Sequence, residues 1–157
     1  MKYNVISLRD QIRTFVDEQA FKNPLAVTLT MRRVLARNGA RYWIDEQQCK
    51  QNLRHFLNVI SRRLFRGDAR RGKRLRCFSV LEYSKTVRPH YHLIVENPTC
   101  MSAGFFRLLL QSFWARTTWG YRQVDAVSWD RGWNKYITKI RTKPVYDLAI
   151  DWENSHF

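Results

Sequence analysis

Between Leu25 and Met31 the chain alternates, and the β-branched run Ala26-Val27-Thr28-Leu29-Thr30 has the period-two pattern of a strand with one buried face. Upstream, residues 5 to 22 read as a short polar helix that Asn23-Pro24 stops. Downstream, a polar, glycine-containing loop leads to Asp45, which stands where a helix cap belongs. Apolar Leu53, Phe56, Leu57, Ile60 and Leu64 follow at helical spacing, and Gly67-Asp68-Ala69-Arg70-Arg71-Gly72-Lys73 then reads as a flexible basic loop. Two strands are predicted at about 75–83 and 90–96, joined by a turn over Ser84 to Pro89. Ser102 caps a second amphipathic helix carrying Phe105, Leu108, Leu109, Phe113 and Trp114. Tyr121 to Val127 reads as a fourth strand, and a last helix covers about Asp130 to Arg141.

Strand, helix, strand, strand, helix, strand is the βαββαβ connectivity of a ferredoxin-like α+β domain. Its antiparallel sheet carries both crossover helices on one face, with an N-terminal helix before it and a C-terminal helix after it. The opposite face is left for chemistry. A chain of 157 residues accommodates one such domain, with a core over about 24–141, while 142–157 remain as a tail or an added edge element.

Charge sharpens this picture. Twenty-eight Lys and Arg against 13 Asp and Glu give a formal net charge of +15, which attracts polyanions, so nucleic acid is the expected ligand. No run of 18 apolar residues, signal-peptide core or lipidation box occurs, so a cytoplasmic protein without membrane attachment is expected. Cys49, Cys77 and Cys100 are scattered and odd in number, which argues against a disulfide framework or zinc knuckle and reads as reduced packing residues.

Residues two apart on a strand share a face, so His90 and His92 project their rings to one side while Tyr91, Leu93 and Val95 face the helices. Glu82 ends the preceding apolar run, where burial without a partner is costly. An antiparallel register with an even index sum, such as Glu82 opposite His90 or His92, puts all three on one face, and an odd sum separates them. Two imidazoles and a carboxylate leave coordination positions open on a divalent ion, Mn²⁺ or Mg²⁺.

Tyr136 and Lys139, three apart in the last helix, lie on one side of it, where a phenol and an ammonium can meet one phosphate. An apolar strand, a His-hydrophobic-His strand with an upstream carboxylate, and a Tyr-x-x-Lys helix, in that order, resemble the HUH endonuclease superfamily. Single-tyrosine rolling-circle replication initiators are the members most similar. Over about residues 24 to 141 the resemblance implies metal-dependent nicking and joining of single-stranded DNA. Tyr136 is then the nucleophile, Lys139 its helper, and Glu82, His90 and His92 the metal ligands. Its alternatives are a single-tyrosine transposase of the same superfamily and a non-catalytic single-strand-binding module.

The implied partner is single-stranded or hairpin DNA at an origin. A single tyrosine needs a second protomer or a second use of the site to close a circle, so a transient homodimer is expected, together with a host helicase. Phosphate contacts are expected from Arg62, Arg63, Arg66, Arg70, Arg71, Lys73, Arg74 and Arg76, eight cations with only Asp68 among them. Arg32 and Arg33 after the first strand, and Lys85 and Arg88 in the turn, can join them. Trp129 and Trp133 are the preferred stacking platforms for bases, with Trp43 and Trp119 as further candidates.

Overall fold

The computed structural model describes residues 7–98, 100–130, 132–133 and 149–157. In chain order the elements are α1 (Leu8–Glu18), β1 (Pro24–Met31), β2 (Val34–Arg37), β3 (Ala40–Trp43), α2 (Glu46–Phe65), α3 (Gly67–Arg70), β4 (Cys77–Glu82), β5 (His90–Glu96), α4 (Ala103–Ala115) and β6 (Gly120–Ser128), followed by a 3₁₀ turn, Trp152–Asn154.

β1 is one of the two inner strands. The main sheet has the order β4-β5-β1-β6, and every neighbouring pair is antiparallel, the ferredoxin-like arrangement expected from the order of elements. The pleat sends Leu25, Val27, Leu29 and Met31 to one face, where they meet Leu53, Phe56, Leu57 and Ile60 of α2 and Phe106, Leu110 and Trp114 of α4. Phe56 and Trp114 meet edge to face at 5.3 Å, and Trp114 Nε1 donates to the Thr30 carbonyl at 2.8 Å, tying α4 to the end of β1. Asp45 and Gln48 close a reciprocal capping box at the start of α2, and Ser102 caps α4.

Four expectations need correction. The segment after β1 is a β-hairpin, because Asn38 and Gly39 take φ of +51° and +77°, the two positive values a tight type I′ turn requires. The basic loop begins as the helical turn α3, with Ala69 buried beneath it. α4 turns Phe106, Leu110 and Trp114 inward and leaves Phe105 and Leu108 exposed; its sequence is apolar nearly all round, so periodicity alone does not select the buried face. Finally, the second sheet face is not bare. Ile12 and Val16 of α1, which Ser7 caps, pack there with Phe78, Val80, Ile94 and Ile150 in a smaller core.

The end of the chain seals the free edge of β4. Cys77 bridges to His156 and Val80 to Ile150, and Asp151 accepts a 2.7 Å bond from the Tyr91 hydroxyl and another from Asn154 Nδ2. Tyr91 is fully buried, and burial, then the Asp151 charge, hold its phenol above the usual tyrosine range. An edge covered in this way is protected from pairing with other chains. Cys49 and Cys77 are packing residues as expected, whereas Cys100 is exposed. No helix among the described residues is long and apolar enough to cross a membrane.

Replacing Tyr91 by Phe removes a buried bond to a charged group, so unfolding stability should fall by about 1.5–3 kcal/mol in a urea titration. A loss within about 0.5 kcal/mol, the scatter of neutral changes, would show that this bond does not anchor the chain end.

Candidate metal centre

The pairing of β4 with β5 decides where the polar side chains go. Glu82 stands opposite His90 and Val80 opposite His92, an even-sum register, so Glu82, His90 and His92 emerge together on the face away from α2 and α4. Their ligand atoms all lie within 4.8 Å of one another. Glu82 Oε2 is 3.2 Å from Nε2 of each histidine, and the two rings stand at 86° with centroids 4.7 Å apart. Ligands held 2.0–2.2 Å from one ion are separated by roughly 3.0–3.5 Å, so the spacing fits a divalent cation.

The remaining nitrogens fix which atoms face the carboxylate. His90 Nδ1 lies 2.9 Å from the Arg88 carbonyl, which can only accept, so Nδ1 carries the proton and Nε2 turns its lone pair toward Glu82. His92 Nδ1 meets the Thr28 hydroxyl at 3.2 Å, which permits the same tautomer. Two nitrogen lone pairs and a carboxylate converging on one point repel one another unless a cation or an added proton lies between them. The donor set therefore can hold a metal ion, with Arg88 and Thr28 orienting the rings. Thr28 belongs to the strand motif noted in sequence, but its contact with His92 follows only from the β1–β5 register, Thr28 opposite His92.

Trp133 closes one side. Asp130 caps the turn that carries it, accepting from Trp133 N at 3.2 Å, and the Trp133 ring stands edge-on to His92 at 5.5 Å. Trp133 and Trp129 also pack against the smaller core, so both are wall residues of the site. Trp119 is buried, while Trp43 is 64% exposed on the β2–β3 hairpin. Tyr136 and Lys139 lie outside the described residues.

The basic residues fall into two groups at opposite ends of the sheet. At the metal end, Arg32 is exposed, Arg88 covers the Tyr121 ring at 4.3 Å, and the β2–β3 hairpin presents Arg37, Arg41 and Tyr42. Arg33 instead donates to the carbonyls of Ser84, Lys85 and Val87, bracing the turn that carries Lys85. At the other end lie Arg62, Arg63 and Arg66, exposed on α2 and its cap, and Arg70, Arg71, Lys73, Arg74 and Arg76 beyond. Several are engaged within the fold: Arg62 donates to the Asn58 carbonyl, Arg71 pairs with Asp68, Arg74 donates to the Ala69 carbonyl, and Arg76 pairs with Glu96 at 2.6 Å.

The family model described as replication-associated protein, ORF2 type, matches residues 24–144, a span that runs from β1 past the metal-binding hairpin. No curated protein and no solved structure matches the chain.

Calorimetric titration with Mn²⁺ should detect one site per chain that Glu82→Gln or His92→Ala removes, and Thr28→Val should weaken it by about 10-fold or more. Equal binding by all three variants would place the ion elsewhere.

Proposed function

Because the chain belongs to the replication-associated protein family of the ORF2 type, we propose that it is a metal-dependent HUH-type endonuclease of the single-tyrosine kind that nicks and rejoins single-stranded DNA to initiate rolling-circle replication. The observation that carries this reading is the convergence of Glu82, His90 and His92 on the open sheet face beside Trp133. Tyr136 follows Trp133 by three residues, and three residues of chain reach at most about 11 Å. A nucleophile tethered so near the metal ligands is what strand transfer at a held phosphate requires.

In this reaction the Tyr136 oxygen attacks phosphorus, the bond to the 3′ oxygen breaks, and that oxygen leaves as a 3′ hydroxyl after taking up a proton. The 5′ phosphate remains joined to the tyrosine, conserving the bond energy for the reverse attack by a 3′ hydroxyl. A divalent ion on the triad supplies charge that polarises the scissile phosphate. Lys139, on the same side of a helix as Tyr136, places an ammonium beside the oxygen anions that develop in the transition state. Thr28 and the Arg88 carbonyl keep both imidazoles presenting Nε2.

Partners follow from the same reading. Single-stranded or hairpin origin DNA approaches the metal end, where Arg32, Arg37, Arg41 and Arg88 meet phosphates and the exposed Trp43 offers a stacking face. A transient homodimer and a host helicase complete the replication step, and one domain carries the whole activity.

Incubation with labelled single-stranded oligonucleotides and Mn²⁺ should give a covalent protein–DNA band on a denaturing gel. The band should vanish with chelator or with Tyr136→Phe, and Lys139→Ala should slow its formation by about 100-fold. DNA binding without an adduct across a varied oligonucleotide pool would contradict the nuclease reading.

A further inference from the structure

The far end of the sheet holds a feature that the metal chemistry does not use. A cavity of about 850 Å³ opens where α2, the start of β4, the end of β5 and the chain terminus meet. That volume lies within the range of small-ligand pockets. It is about 20 Å from the metal centre, since β5 runs six residues from His90 to Glu96.

The lining is cationic and carries an unmet acceptor. Lys22, Lys73, Arg74 and Arg76 face one carboxylate, Glu96, which Arg76 and the Lys22 backbone N–H already occupy. Among the described residues, Lys22, Lys73 and Arg74 have no carboxylate within ion-pair distance. Lys73 sits 4.7 Å over the Phe65 ring, so charge and an aromatic face occur side by side. Burial, and then the Arg74 charge, hold His156 below the usual histidine range, in keeping with a positive local field. Asn97 is only 6% exposed; its Nδ2 donates to the Met101 carbonyl, but its Oδ1 is buried without a hydrogen-bond partner. An orphaned buried acceptor calls for a donor from outside the fold.

We propose that this cavity binds one nucleotide unit of single-stranded DNA, independently of metal. The phosphate meets Lys22, Lys73 and Arg74, and an amino or imino group of the unstacked base donates to Asn97 Oδ1. Phosphate charge, a base donor and an apolar face combine in a nucleotide, whereas an inorganic anion would leave Asn97 unmet. The inference extends the DNA-binding part of the reading above and is independent of the cleavage step.

Cys100 lines the cavity and is exposed, whereas Cys49 and Cys77 are buried with thiols pushed up to about 12, so alkylation reports on this place alone. The experiment measures N-ethylmaleimide reaction of the full chain in chelator, with and without a mixed-sequence oligonucleotide whose binding is followed by anisotropy. At oligonucleotide concentrations about ten times the dissociation constant, alkylation of Cys100 should slow by about 10-fold. Lys73→Glu, at an exposed position, and Asn97→Leu should each remove most of that protection. Unchanged alkylation while DNA is bound, or equal protection in Lys73→Glu, overturns the inference and leaves the nuclease reading intact. Protection without a Mn²⁺-dependent adduct in the parallel gel assay supports the cavity while removing the nuclease. Equal protection by deoxyadenosine monophosphate would assign the cavity to free nucleotides and overturn its assignment to a DNA strand.

Discussion

The antiparallel register of β4 against β5 is the constraint on which the site depends. Side chains alternate along a strand, so sliding β4 by one residue would turn Glu82 under the helices and push Cys77, Ser79 and Leu81 outward. A carboxylate buried there without a partner costs several kcal/mol, and the lost packing of Leu81 and Cys77 adds to it. The register is braced at both ends. Arg33 grips the carbonyls of the connecting turn, and the chain terminus bonds to the other edge of β4 through Cys77, Ser79 and their partners His156 and Asp151. The folding energy of the helix-covered face thus sets the geometry of the polar one.

That polar face is divided. Phe78, Val80 and Ile94 occupy its middle under α1 and the terminal segment, while Glu82, His90, Thr28 and Thr30 continue toward the turn. His92 stands at the boundary and is 3% exposed, flanked by Val80 on the neighbouring strand and by Trp133. Apolar walls around a charged centre limit water access and strengthen its electrostatics, while the turn side stays open to an extended ligand. The positive charge of the chain is likewise divided, with one group around the metal end and another around the far cavity.

Much of this was legible in the amino-acid sequence because the local signals agreed with the tertiary demands. The period-two runs gave β1 and β5, Asp45 and Ser102 marked the helix starts, and the parity of Glu82, His90 and His92 stated the condition the register then met. The β2–β3 hairpin was missed although Asn38-Gly39 is a strong turn signal, because the flanking residues are half exposed and their alternation is weak. The roles of Arg33, Arg74 and Arg76 within the fold were not legible, since charge counting does not distinguish a guanidinium aimed at a carbonyl from one aimed at solvent. Nor was the docking of 149–157: it rests on Asp151 meeting Tyr91 sixty residues away, a contact with no local signature.

The triad as a cation site is the central claim, and electron spin-echo modulation of Mn²⁺ added to the protein tests it most directly. The account predicts nitrogen couplings from two imidazoles, reduced to one in His90→Ala. Bound Mn²⁺ with no nitrogen coupling, or with couplings unchanged in that variant, would contradict it.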